Sequence, residues 1–172
     1  VDVLFIGADG RDLPPGKTQS IERLFGREDF PRAGPDGTGG LNFPTRIVEG
    51  YREHFLAEID REAIEGRGFT LVVDFSYGAT VEVFPGLLGA LGTDTVSLDA
   101  YAAPGRLTRS AEEFEDALER LGGIVRSIDA DLGLWIDPGG EVVHLVDDAG
   151  RTLPPERAQA IMVGLALETM GV

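Results

Sequence analysis

The sequence predicts an α/β protein: a three-layer α/β/α core around a four-stranded mixed sheet with one antiparallel edge strand. Two observations predict this fold. From residue 69 onward, apolar segments rich in β-branched residues alternate with amphipathic helices, as in parallel strands joined by helical crossovers. The last two apolar segments are separated only by a short glycine-containing loop, so the final strand should run antiparallel to its neighbour. A strand–helix–loop–helix extension precedes this core.

The extension begins with residues 1–7 (VDVLFIG), whose apolar, β-branched composition predicts a buried strand. A short helix is predicted over residues 20–25, with Thr18 or Ser20 as its N-cap. Residues 26–44 are rich in glycine and proline and lack periodicity, which predicts a linker or long loop.

The helix predicted over residues 45–64 is the clearest element of the first half. Charged residues occupy one face of this helix. The apolar residues of the other face recur at every fourth position: Ile47, Tyr51, Phe55 and Ile59. Glycines at positions 66 and 68 should end this helix.

The core elements follow in order along the chain. Strands are predicted over residues 69–75, 93–98, 131–136 and 141–147, and helices over residues 81–92, 110–121 and 153–170. Ser110 followed by Glu113 is typical of a capping box at the start of the second of these helices.

Composition excludes several classes of function. The net charge of −15 arises from 15 basic and 30 acidic residues, and such a surface disfavours nucleic acid as a partner. The chain has no cysteine, which excludes disulfides, thiolate nucleophiles and thiolate zinc sites, and agrees with a reducing, cytoplasmic location. No apolar run is long enough to cross a bilayer and no signal peptide is visible, so no membrane partner is predicted.

The chain begins at Val1 rather than at a methionine, and we interpret it as a piece of a longer protein. Other domains of the same polypeptide are therefore its expected partners. A homo-oligomer is the alternative.

Three sequence features could indicate a functional site, and each also has a simpler, structural interpretation. The GKT at residues 16–18 lacks the glycine that a phosphate-binding loop needs five positions earlier, where Arg11 stands. The turn at residues 74–80 can hold an anion at a helix start or can serve only strand–helix packing, which we favour. His54 is expected on the surface and His144 within a strand, where a structural role is more common than catalysis.

The loop after the third core strand, IDPGGE, carries two candidate metal ligands, Asp137 and Glu141. A magnesium site usually joins one or two carboxylates to waters and a substrate phosphate. Gly139, between the two acids, offers only a backbone carbonyl. Asp147 and Asp148 lie at the next turn and are expected to be solvated turn residues. The chemistry alone predicts a hairpin with a weak capacity for Mg²⁺, and no other cofactor.

From about residue 51 to the end, the chain resembles the second α/β/α domain of the phosphohexomutase superfamily, which contains phosphomannomutase and phosphoglucomutase. The resemblance is carried by LVVDFSYGATVEVFPGLLGALG and, without gaps, by DLGLWIDPGGEVVHLVDDAGRTLPPERA. The first residues, VDVLFIGADGRDLP, resemble the end of that family's first domain. This resemblance implies two parts: residues 1–44 as a remnant of the preceding domain plus linker, and residues 45–172 as the domain II-like unit.

The resemblance also exposes departures from the family pattern, in which a metal loop Asp-Gly-Asp-x-Asp-Arg holds magnesium. In that register Asp137 keeps the first aspartate, Gly139 replaces the second, Glu141 stands for the third, and Val142 replaces the arginine. Magnesium should then bind weakly or not at all. The family's phosphoserine, sugar-binding and phosphate-binding loops belong to other domains, and we assign no catalytic residue.

The resemblance therefore implies a structural or regulatory module without catalysis, within a phosphosugar or sugar-nucleotide protein. Such modules resemble those fused behind a nucleotidyltransferase in mannose-1-phosphate guanylyltransferase-like proteins. The alternative is a fragment of an active phosphomannomutase or phosphoglucomutase, an intramolecular phosphotransferase with a divergent magnesium site. A third possibility is a ligand-binding or oligomerisation module with no ancestral chemistry.

Overall fold

The computed structural model describes residues 5–37, 39–41 and 43–171. The chain divides into two compact units, Val1–Phe43 and Pro44–Val172. The four-stranded sheet belongs entirely to the second unit.

The first unit contains helix α1 (Pro15–Gly26) and one turn of 3-10 helix (Pro35–Gly37). Helix α1 starts earlier than predicted, because Pro15 in its first turn has a φ already suited to a helix. Neither Thr18 nor Ser20 caps it; the Ser20 hydroxyl instead donates to the carbonyl of Gly16 at 2.8 Å.

A buried strand was predicted over residues 1–7. This prediction is wrong for residues 5–7, and residues 1–4 lie outside the described residues. Ile6 forms only an isolated antiparallel bridge with Asp12. The chain reverses immediately, with Gly10 at a φ of 76°, and Ile6 is 60% exposed. Residues 5–7 therefore form a single exposed bridge rather than a buried strand.

The second unit begins with two helices, α2 (Ile47–Ala57) and α3 (Arg61–Glu65), where one continuous helix was predicted. The break has a local cause. The Asp60 side chain accepts a hydrogen bond from the Ala63 N–H at 3.1 Å and starts a new helix. Gly68, with a φ of 62°, then leads into the sheet.

The sheet confirms the predicted architecture. It comprises strands β1 (Thr70–Asp74), β2 (Asp94–Leu98), β3 (Leu132–Ile136) and β4 (Val143–Val146), in the order β2-β1-β3-β4. Strand β1 pairs in parallel with both β2 and β3, and β4 pairs with β3 as the antiparallel edge strand. The register places Trp135 beside His144.

Three further helices complete the second unit: α4 (Phe84–Ala90), α5 (Ala111–Ser127) and α6 (Pro155–Met170). The predicted capping box of α5 is present, since Ser110 and Glu113 exchange both hydrogen bonds. Helix α4 is shorter than predicted. A turn of 3-10 helix (Ala79–Glu82) precedes it, and Pro85 lies in its first turn.

The core has two parts, one on each face of the sheet, because successive strand residues point to opposite faces. On one face Val72, Trp135 and Val146 pack with α5 residues Leu121 and Val125. On the other face the buried residues are Leu71, Val73, Phe75 and Ile136, with α4 residues packed against them. In the part of the chain that the structure describes, no helix is long and apolar enough to cross a membrane.

Candidate functional site

The loops that follow β1 and β3 meet at the carboxyl ends of these neighbouring parallel strands. The chain order reverses here, since β2 lies on one side of β1 and β3 on the other. Such a reversal is where α/β sheets commonly bind ligands. The contact is close: the Ala79 N–H donates to the Pro138 carbonyl at 3.2 Å, and a Cβ on Gly78 would lie 2.5 Å from Pro138 Cα.

The N–H groups of the turn at residues 74–80 donate to acceptors within the turn and in neighbouring loops. The Ser76 N–H donates to the Asp74 carboxylate at 2.8 Å, and the Tyr77 N–H donates to the Asp99 carbonyl at 3.1 Å. The Gly78 N–H donates to the Phe75 carbonyl at 2.8 Å. These N–H groups are therefore engaged, and the packing interpretation of this turn is favoured over an anion cradle.

Asp137 organises the loop that the sequence suggested for metal binding. One of its carboxylate oxygens accepts hydrogen bonds from the N–H groups of Glu141 and Val142, both at 2.7 Å. The other oxygen accepts from the Gly139 N–H at 3.2 Å. This carboxylate therefore closes the loop on itself, which is the usual work of an aspartate in a turn.

The second candidate ligand, Glu141, is exposed at the tip of the same loop. Across the residues that the structure describes, no three His, Cys, Asp or Glu side chains gather in a way that could hold a metal ion. A different oxygen lies nearby: the Thr80 hydroxyl is buried and has no hydrogen-bond partner among those residues. The Thr80 side chain touches the loop, because a Cβ on Gly140 would come within 2.7 Å of its methyl group.

The other residues singled out from the sequence do not join this loop. His54 is exposed on α2, with Nδ1 2.9 Å from the Gly50 carbonyl. The His144 ring packs edge-on against Phe114 and Trp135, with centroids 5.0 and 5.5 Å apart, which is a structural role. The GKT at residues 16–18 lies in the first turn of α1.

Asp147 is not the freely solvated turn residue that the sequence suggested. Its carboxylate accepts hydrogen bonds from the Arg151 backbone N–H at 2.8 Å and from Arg151 Nε at 2.9 Å. The side-chain hydrogen bond from Arg151, followed by the backbone one, holds the pKa of Asp147 below its usual value.

Sequence reasoning missed a cluster of charged residues at the carboxyl ends of β1 and β2. Asp74 is fully buried, and its carboxylate lies 2.8 Å from Arg120 and 3.9 Å from Arg109. Both arginines also bind Asp99, at 2.8 and 3.1 Å. Two carboxylates and two guanidinium groups thus neutralise one another and tie β1, the loop after β2 and α5 together.

Tyrosines extend this cluster. The Arg106 guanidinium lies over the Tyr77 ring at 4.5 Å and donates to the Tyr101 hydroxyl at 3.0 Å. The two tyrosine rings meet edge-on with centroids 5.0 Å apart. A hydrogen bond to Asp99 is the main cause that raises the pKa of Tyr77, and burial adds to it.

Asp99 is held as a carboxylate by its neighbours. Partial burial acts to raise its pKa, but hydrogen bonds from Tyr77, Arg120 and Arg109 together outweigh burial, and the pKa lies below its usual value. The signal in the sequence was three arginines, at positions 106, 109 and 120, within 15 residues of an acidic chain. Asp74 and Asp99, the partners of Arg109 and Arg120, lie 10 to 46 residues away in sequence and cannot be identified from spacing.

A cavity of about 410 Å³ opens beside this cluster. Its lining residues are mostly polar and come from three segments: Tyr77 after β1, residues 99–109 after β2, and α5 as far as Arg120. The Asp137–Glu141 loop does not line it.

Comparison with known proteins finds similarity to one family of enzymes. Residues 49–150 match the family described as phosphoglucomutase/phosphomannomutase, alpha/beta/alpha domain II. A phosphoglucomutase/phosphomannomutase of Thermococcus kodakarensis is 31% identical over 163 residues, which are 95% of this chain and 36% of that protein. A phosphoglucosamine mutase of Halorhodospira halophila is 32% identical over 151 residues, 88% of this chain and 32% of that protein.

A solved structure shows the same fold. The crystal structure of a phosphoglucomutase/phosphomannomutase family protein from Burkholderia thailandensis superposes with a TM-score of 0.72 at 19% identity. The match covers 91% of this chain and 32% of that one. The chain thus spans about a third of the length of the relatives it matches.

Proposed function

We propose that this chain, which belongs to the phosphoglucomutase/phosphomannomutase family and contains its alpha/beta/alpha domain II, is a non-catalytic module of a multidomain phosphosugar protein. Its role there is structural or regulatory. We further propose that the parent is a mannose-1-phosphate guanylyltransferase-like protein, in which a mutase-like module follows a nucleotidyltransferase. That context rests on the resemblance described above.

One observation carries the non-catalytic proposal: the Asp137 carboxylate is already occupied by three backbone N–H groups of its own loop. A carboxylate that binds a cation must direct lone pairs at it, and three of the roughly four acceptor positions of this one already accept hydrogen bonds, two on Oδ1 and one on Oδ2. Gly139 adds no side-chain oxygen, and Glu141 alone is exposed and available. Magnesium requires near-octahedral oxygen ligands and loses its waters reluctantly, so one free carboxylate holds it poorly.

The helix α6 supports the proposal that other domains of a longer polypeptide are the partners. None of its residues is buried, although most of its second half is apolar. Ile161, Met162, Val163 and Leu165 are between 44% and 62% exposed. A helix that is apolar around much of its circumference is usually covered. A second copy of the chain is the alternative, and light scattering over a concentration series separates the two.

A magnesium titration tests the non-catalytic proposal. Isothermal calorimetry and amide NMR shifts should show no saturable binding in the micromolar range, because the loop offers one free carboxylate. Any weak response to millimolar Mg²⁺ should be the same in two variants. One is Glu141→Gln, and the other is the control Asp148→Asn, which removes an exposed acid from the next turn. Saturable micromolar binding that Glu141→Gln abolishes and Asp148→Asn does not would contradict the proposal.

The Thr80 hydroxyl favours a second candidate function, an active phosphohexomutase with a divergent magnesium site. This buried oxygen has no partner within the described ranges, and the methyl group of the same side chain adjoins the loop. Together with Glu141 and a reoriented Asp137 it would raise the number of oxygen ligands to three. The test is mutase turnover by the full-length protein on glucose 1-phosphate and mannose 1-phosphate. Turnover that falls at least tenfold in Thr80→Val, but not in the control Thr152→Val at an exposed position outside the loop and the cavity, would support this alternative.

A further inference from the structure

We propose that the groove between β4 and α6 binds a separate partner protein, which adds an extended apolar segment with basic ends to the sheet as a strand beside β4. The groove has a volume of about 670 Å³ and is formed by β4, the segment that follows it, and α6 as far as Val163. Most of its lining residues are apolar, among them Val142, Val143, Leu145, Leu153, Met162 and Val163. The proposal goes beyond the proposed function, because it concerns neither magnesium nor catalysis.

The outer edge of β4 is the first reason to expect a strand as the occupant. The Leu145 carbonyl accepts the Leu153 N–H at 2.8 Å, so Leu145 directs its backbone groups away from β3. Val143 directs its groups to the same side, because this direction alternates along a strand. Among the described residues, no hydrogen bond reaches the Val143 backbone or the Leu145 N–H. Such unpaired groups are the template on which an extended peptide adds to a sheet.

The segment of residues 151–153 already begins such a strand on this edge. Thr152 forms an antiparallel bridge with Val146. If that pairing continued, Pro155 would lie opposite Val143, but Pro155 begins α6 and the chain leaves the edge. The groove opens at this point, since both Pro155 and Val143 line it. A partner strand would therefore continue a pairing that the chain itself starts.

Charge distinguishes between the possible occupants. The lining contains no Lys, Arg, Asp or Glu, whereas the whole chain has a net charge of −15. The exposed residues that adjoin the lining in sequence are two acids and one base, Glu141, Glu156 and Arg157. A second copy of the chain would bring the same negative charge and be repelled, whereas a partner with basic residues would be attracted. The expected segment is therefore apolar where it pairs with β4 and basic at its ends.

Only one side of α6 belongs to this groove. Met162 and Val163 line it, but the exposed residues Ile161 and Leu165 do not. These two residues remain available to other domains of the same polypeptide, so both surfaces of α6 can be covered at once.

The test is calorimetric titration of the chain with an acetylated and amidated peptide, Lys-Lys-Val-Thr-Val-Thr-Val-Lys-Lys. This peptide should bind saturably in the micromolar range. It should bind at least tenfold more tightly than two controls, one with the same composition but adjacent valines and one with glutamate in place of lysine. The first control breaks the alternation that a strand requires, and the second reverses the charge.

Two N-methylated peptides test the backbone pairing directly. One carries methyl groups on the backbone nitrogens of its valines and the other on those of its threonines. Only alternate N–H groups of a strand face its neighbour, so one of the two peptides should lose binding and the other should keep it. Hydrogen exchange of the Val143 and Leu145 amides should slow when the unmethylated peptide is added.

The methionines of α6 provide a matched pair of variants. Met162→Lys places a charge in the lining and should weaken binding at least tenfold. Met170→Lys makes the same change at an exposed position outside the lining and should leave binding unchanged.

The proposal is overturned if the peptide does not bind, if the control with adjacent valines binds equally, if the two methylated peptides bind alike, or if Met162→Lys binds as tightly as the parent. Dimerisation of the chain that Met162→Lys abolishes would also overturn it, by assigning the groove to a second copy. Binding to this chain but not to the full-length protein would overturn it as well, by assigning the groove to another domain of the same polypeptide.

Discussion

Gly78 sets how closely the loops after β1 and β3 approach each other. Its Cα faces the Pro138 backbone, and an added Cβ would lie 2.5 Å from both the Cα and the carbonyl oxygen of Pro138. The φ of Gly78 is −83°, which any residue can adopt. Space alone, rather than backbone conformation, therefore requires glycine here. The same contact places the Ala79 N–H on the Pro138 carbonyl and so joins the turn after β1 to the Asp137 loop.

Gly78→Ala is expected to destabilise the protein by about 1–3 kcal/mol, as overpacking against a rigid backbone does. The matched control is Gly164→Ala in the middle of α6, where a Cβ would meet nothing within 4 Å. Alanine is the better helix former, so this variant should be more stable by about 0.5–1 kcal/mol. Urea unfolding measures both free energies. Equal effects of the two substitutions would show that the Gly78–Pro138 approach is not tight.

At the scale of elements, the sequence predicted those whose signals are local. The sheet strands and the Ser110 capping box are confirmed because alternation, β-branching and cap spacing are read within a few residues. Helix α5 was predicted to end at residue 121 but continues to Ser127. Gly122 does not stop this helix. It is a packing position, because a Cβ there would overlap the Gly150 carbonyl oxygen.

The cavity could not be predicted in the same way, because its groups come from distant positions. Tyr77, Asp99 and Arg120 are brought together only by the parallel pairing of β1 and β2 and by the packing of α5. Spacing along one chain does not encode that contact. For the Asp137 loop, the sequence predicted the position between the last two strands. The direction of the Asp137 carboxylate was not predicted, because it depends on three backbone hydrogen bonds that no motif reveals.

Ser110→Ala should lower the free energy of unfolding by about 1 kcal/mol, the usual loss when a helix loses its N-cap side chain. The Ser110 hydroxyl accepts the Glu113 N–H at 3.2 Å, and alanine leaves that donor to water. Ser127→Ala is the control at the other end of α5, where the hydroxyl donates to the Ile124 carbonyl at 2.8 Å. That change should cost less than about 0.5 kcal/mol because it lies at an exposed helix end. Thermal and urea unfolding measure both free energies of unfolding. Equal losses in the two variants would contradict a dominant role for the capping box.

At the scale of the whole molecule, the buried core lies within one part of the chain. All the buried apolar residues of the described ranges fall between Leu71 and Val146, inside the unit Pro44–Val172. The sheet and both halves of the core are therefore formed by one segment of about 130 residues, a size at which a single domain folds on its own. This favours the proposal that residues 45–172 are an independent domain and residues 1–44 a remnant of a preceding one.

A variant that begins at Thr45 tests that boundary. It should unfold cooperatively, with a midpoint within roughly 4 °C of the parent, the shift that about 1 kcal/mol causes in a domain of this size. Leu121→Ala probes the core in both backgrounds, because Leu121 is fully buried on α5. It should cost about 2–5 kcal/mol in each, and the two costs should agree to within about 0.5 kcal/mol, as they do for independent sites. If the shortened chain lost cooperativity, or if the cost of Leu121→Ala depended on residues 1–44, the first segment would have to be counted as part of the folding unit.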